Sequence, residues 1–121
     1  MRKFSRFPFI KGMRIDVRDP ARNVSLGYAA DVSLGGLRLI GEETFTAGEQ
    51  YEIVLEVPKN DLTPEQQIPL TVICQWTRKN FRRGYEQGLR VLEPSRAFEN
   101  LVKSLSHSLG LSETSLPKRR V

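Results

Sequence analysis

Cysteine and histidine are almost absent from this chain, which contains one of each, Cys74 and His107. A lone cysteine closes no intramolecular disulfide, offers no CxxC metal pair and carries no signature of an oxidising compartment. A lone histidine further weakens any zinc or catalytic-triad reading. No apolar run approaches the roughly 18 residues needed to cross a bilayer, so membrane insertion is not expected. The N-terminal stretch MRKFSRFPFIKG is basic but lacks an apolar h-region and a small-residue cleavage site. The expected location is therefore the cytoplasm. No Walker-type phosphate loop or nucleophile–base pair is visible either, and an enzyme is the least favoured class.

What is present fits one domain: 121 residues suffice for a single modest core. The net charge of +5 is unevenly spread. Residues 1–22 hold seven Lys/Arg against two Asp/Glu, residues 23–75 two against eight, and residues 76–121 ten against four. If the two cationic ends meet in space, they form a surface attractive to a phosphate-bearing partner, although solvated surface charge explains the same pattern.

Most of the chain alternates with the period of short strands. Met13, Ile15 and Val17 alternate with Arg14, Asp16 and Arg18, and Asp19-Pro20 then turns the chain toward Val24–Ala30. Gly35-Gly36 precede Leu37–Ile40. Tyr51, Ile53, Leu55 and Val57 face one way in a fourth strand. Ile68, Leu70, Val72, Cys74 and Trp76 form the clearest stripe, and Tyr85, Gln87, Leu89 and Val91 form a sixth. Six short strands with turn residues between them predict a small barrel or sandwich. The period then changes: Ser95 can cap a helix whose stripe is Phe98, Leu101, Val102, Leu105 and Leu109, with Gly110 suited to its end. Residues 1–110 are thus expected to form one domain and residues 111–121 a flexible basic tail.

Two constellations carry chemistry. Arg2 and Arg6 form an RxxxR ahead of the first strand, and Asp31-Val32-Ser33-Leu34-Gly35-Gly36 forms a DxSxxG between the second and third. Arginine pairs bidentately with phosphate oxygens or with guanine O6 and N7. Asp31 and Ser33 leave a strand from the same face, where a carboxylate can accept from the N1–H and N2–H of guanine. Gly36, helped by Gly35, clears side chains where the backbone turns and nears a ligand. Neither motif is specific alone, since RxxxR arises by chance and DxSxxG also describes an ordinary hairpin turn.

Together and in this order they resemble the PilZ domain family. Gly36-Leu37-Arg38-Leu39 is similar to that family's third strand, Val72–Arg78 around Trp76 to its fifth, and Tyr85–Val91 to its sixth. The resemblance covers residues 2 to about 110. It implies an all-β fold with a C-terminal helix: a six-stranded antiparallel β-barrel that binds the bacterial second messenger cyclic di-GMP without catalysing a reaction or using a cofactor. Carried over residue by residue, Arg2 and Arg6 would contact guanine and phosphate, while Asp31, Ser33 and Gly36 would hold the other side of a guanine. Many members have a basic residue directly before the first motif arginine, where this chain has Met1. That departure favours one bound molecule over a stacked pair, with Lys3 able to compensate in part.

The remaining residues have plainer readings. Trp76 continues the inward stripe of its strand and is expected in the core, the alternative being an aromatic wall beside a purine. Arg78 is expected as a solvated strand end within reach of a phosphate, and Cys74 as an inert core residue. Three functions compete: a cyclic di-GMP receptor that acts by altered contacts with a downstream protein, an interaction protein of the same fold that binds no nucleotide, and a small nucleic-acid-binding barrel. The two complete motifs favour the first over the second. The scarcity of exposed aromatics for base stacking disfavours nucleic acid.

Overall fold

Ile15 and Val17 are fully buried while Asp16 and Arg18 are not, so the first stretch of alternation does form a half-buried strand. It is β1 (Ile15–Asp19), followed by β2 (Val24–Ser33), β3 (Gly36–Gly41), β4 (Gln50–Val57), β5 (Gln66–Asn80), β6 (Gly84–Leu92) and helix α1 (Arg96–Ser108). The computed structural model describes residues 14–59, 64–80, 82 and 84–108, the last three as helix backbone. The strands close into an antiparallel barrel in the order β1-β2-β3-β6-β5-β4, with β1 also pairing β4. The fold expected from the alternation and the motifs is therefore the one observed.

Local chemistry explains the connections. The Asp19 carboxylate accepts from the backbone N–H groups of Ala21 at 2.9 Å and Arg22 at 3.3 Å, closing the turn after Pro20. Between β3 and β4, Phe45 is buried and its ring stacks on Tyr51 with centroids 4.1 Å apart. The inward-facing amide of Gln87 satisfies that segment from within the barrel, accepting from the Phe45 N–H and donating to the Glu43 carbonyl at 3.1 Å. A polar side chain thus sits in the core with both ends paired.

Ser95 caps α1, its Oγ accepting from the Phe98 N–H at 3.2 Å. Phe98, Leu101, Val102 and Leu105 join the same apolar cluster as the barrel interior, so the helix shares its core. Among the described residues no helix is long and apolar enough to cross a membrane. Met13, Leu109, Gly110 and the expected tail 111–121 lie outside the described residues.

Two register irregularities decide which residues reach the outer wall. On β2, Ala29 pairs Leu39 and Asp31 pairs Arg38, leaving Ala30 as an extra residue. On β5, Cys74 pairs Leu89 and Trp76 pairs Gly88, leaving Gln75 as an extra residue. A bulge of one residue reverses the inward–outward alternation beyond it. The placement of Trp76 in the core is therefore corrected. Its side of the strand turns outward at Gln75, leaving Trp76 38% exposed, while the Thr77 hydroxyl takes an inward, buried position. Cys74, just before the bulge, stays in the core as expected, and burial pushes its thiol above the ordinary value.

Candidate functional site

The outer face of β2, β3, β6 and β5 brings the sequence-predicted residues into one row. Asp31 pairs Arg38, Arg38 pairs Gly88, and Gly88 pairs Trp76, so the row crosses four adjacent strands. Ser33 pairs Gly36 and Gly36 pairs Arg90 in the neighbouring row. Arg78 pairs Glu86 on the other side. Val32 and Leu37 are fully buried inside the barrel, which confirms that Asp31, Ser33, Gly36 and Arg38 belong to the outer wall.

Although outward, Asp31 and Ser33 are buried, while Trp76 at the other end of the row is exposed. The Ser33 hydroxyl is 3.5 Å from the Gly36 carbonyl, the long limit of a hydrogen bond. Gly36 itself has no left-handed backbone. A Cβ there would instead collide with the carbonyl oxygen of Leu89 on β6. The motif glycine is thus required by strand contact across the wall, a different reason from the tight turn expected of it. Gly35 anchors the same corner, its carbonyl accepting from the Val91 N–H at 3.1 Å.

Charged side chains link the row from end to end. Arg38 Nε donates to Asp31 Oδ2 at 3.0 Å and Arg38 Nη1 to Glu86 Oε1 at 3.2 Å. Arg78 Nη2 donates to the same Glu86 oxygen at 3.0 Å. Arg78 also lies over the Trp76 ring, 5.3 Å from its centroid. Burial works against the Arg38 charge, but the bonds and charges of Asp31 and Glu86 outweigh it and hold the guanidinium above its ordinary value. Burial alone would raise the Glu86 carboxyl. Hydrogen bonds from Arg78 and Asn80, with the charges of Arg38 and Arg78, overcome this and hold it below the ordinary value. Both groups stay ionised at neutral pH.

The wall therefore offers an acceptor carboxylate, two guanidinium groups and a flat aromatic surface on one face of the barrel. That combination suits a planar base with several donors attached to phosphate. The structure places Asp31, Ser33, Gly35, Gly36 and Arg78 on one wall, joined there by Trp76 against the core position expected of it. Arg2, Lys3 and Arg6 lie outside the described residues. The sequence reading missed Arg38, Glu86 and Gly88 as parts of this wall. Gly88 had a signal, since a glycine inside a strand pattern marks a close approach by other atoms. Here those atoms are the Trp76 indole, which a Cβ on Gly88 would strike.

Comparison with known proteins agrees with this architecture. The inhibitor of motility MotI/DgrA of Bacillus subtilis superposes with a TM-score of 0.67 at 13% identity, covering 91% of this chain and 52% of that one. The chain thus spans about half of that protein. A PilZ domain with c-di-GMP, from YcgR of Escherichia coli, superposes with a TM-score of 0.61 at 15% identity, covering 89% of this chain and 93% of that one. No curated protein matches the sequence. The PilZ domain model matches residues 1–107, a span that contains both motifs and every strand of the barrel, and the chain belongs to the PilZ domain family.

Proposed function

We propose that this protein is a cyclic di-GMP receptor whose binding state alters its contacts with a downstream protein. The observation that carries the reading is the row Asp31–Arg38–Gly88–Trp76, flanked by Ser33 and Gly36, on one face of the barrel. Asp31 accepts from the N1–H and N2–H edge of a guanine, and the Trp76 ring supplies a wall for the base. Arg2 and Arg6 supply phosphate and guanine contacts from the N-terminal segment.

Chain geometry supports that last role. Ile15 pairs Ala29, two positions from Asp31 on β2, so the segment is tethered beside the row. Arg6 lies eight positions before Arg14, enough for about 27 Å of extended reach. The PilZ domain of YcgR, a structural neighbour, is described with c-di-GMP.

Calorimetric titration with cyclic di-GMP and cyclic di-AMP tests the reading, since adenine lacks the N1–H and N2–H pair. Wild type is expected to bind the guanine dinucleotide selectively. Arg6→Ala is expected to lose about 30- to 150-fold in affinity, the scale of one charged bidentate contact, with an unchanged melting midpoint. Equal affinity for the two dinucleotides, or no effect of Arg6→Ala, removes the corresponding part of the assignment.

A further inference from the structure

The carboxylate of Glu86 occupies a position that its strand does not require. It projects outward from β6, on the wall, where an uncharged residue would equally preserve the alternation that buries Gln87 and Leu89. Yet its side chain is only 12% exposed and is held from three directions. Oε1 receives Arg38 at 3.2 Å and Arg78 at 3.0 Å, while Oε2 receives the Asn80 amide at 2.5 Å. Two guanidinium groups converging on one oxyanion form the arrangement that a phosphate oxygen would otherwise command.

We propose that Glu86 is an internal counter-anion that withholds Arg38 and Arg78 from bare phosphate and so makes the wall select its ligand by the base. This rests on the wall being the nucleotide site. Among the described residues of the row, the carboxylates of Asp31 and Glu86 face the guanidinium groups of Arg38 and Arg78. A polyanion that brings only phosphate meets arginines already paired and must displace or repel Glu86 to use them. A guanine nucleotide has a second source of affinity at Asp31, next to Arg38, and on the Trp76 ring. Discrimination then arises from what the site refuses as well as from what it accepts. Glu86 acts here through the two arginines and is a positioning residue.

The test compares inorganic pyrophosphate, a short single-stranded oligothymidylate and cyclic di-GMP on wild type, Glu86→Gln, Glu86→Asp and the double variant Glu86→Gln with Arg78→Gln. Circular dichroism and melting verify the fold. Glu86→Met, similar in length and uncharged, replaces Glu86→Gln if the latter does not fold. Removing the charge is expected to raise affinity for pyrophosphate and oligothymidylate by roughly tenfold, the effect of about one regained charged contact, with a smaller gain for cyclic di-GMP. Glu86→Asp is expected to keep the exclusion, and loss of Arg78 in the double variant to cancel most of the gain. A folded, uncharged variant whose preference among the three ligands equals that of wild type overturns the proposal. If wild type fails to bind cyclic di-GMP while Glu86→Gln gains pyrophosphate, the receptor assignment fails and the counter-anion role of Glu86 stands.

Discussion

The indole of Trp76 lies against the backbone of Gly88, so close that a single β-carbon on that glycine would collide with its Nε1. The two residues are cross-strand partners on β5 and β6. The absence of a side chain at one position gives the large side chain at the other a floor, and Arg78 lies over the ring.

Gly88→Ala should therefore act on the aromatic wall before it acts on the fold. The indole must lift or rotate, while the core residues behind it stay in place. Affinity for cyclic di-GMP is expected to fall by roughly tenfold, equivalent to about 1.4 kcal/mol, and the tryptophan emission maximum to shift to longer wavelength. Trp76 is the only tryptophan in the chain, so the fluorescence reports this position alone. Unchanged emission together with unchanged affinity would exclude the ring from the site.

Asp31→Ala should separate base recognition from charge attraction. The variant loses the acceptor for the guanine edge and one partner of Arg38, which keeps Glu86. Cyclic di-GMP affinity is expected to drop by about 30-fold or more, while pyrophosphate binding stays level or improves. A parallel loss for both ligands would show that Asp31 maintains the wall without reading the base.

Acid should weaken the barrel partly through Glu86. Its carboxyl titrates below the ordinary 4.5 in the folded chain, so the folded state holds that proton less tightly than the unfolded state does. The resulting stabilisation is complete above about pH 5 and is lost as pH falls through ~4.5 and lower. Melting midpoints of wild type and Glu86→Gln, measured from about pH 6 to pH 3, should lose wild type's relative advantage as the pH drops. A difference independent of pH would mean that the carboxylate makes no net contribution.

Alternation, turn residues and the change to a helical stripe made the six strands and the helix legible, although the second strand was read only to Ala30 and runs on to Ser33. Asp31 and Ser33 were legible as a pair because residues two apart on a strand share a face, and Ser95 as a cap because a hydroxyl before a helical stripe has few other uses. Trp76 was misplaced because periodicity assumes an uninterrupted strand, and nothing about Gln75 announces that it is the extra residue. Arg38 and Glu86 escaped notice because they are separated by nearly fifty positions and become partners only through the β3–β6 pairing. Gly36 was assigned its place but for another reason, since the atom that forbids a side chain there belongs to Leu89.

The bulges at Ala30 and Gln75 each stand one step before an end of the row, Asp31 on β2 and Trp76 on β5. Paired regularly with every residue kept, either strand would hold the same hydrophobic inventory yet point the carboxylate or the indole into the apolar interior. The proposed recognition is therefore a matter of parity: one extra residue on each flanking strand is what turns Asp31 and Trp76 onto the same outer wall.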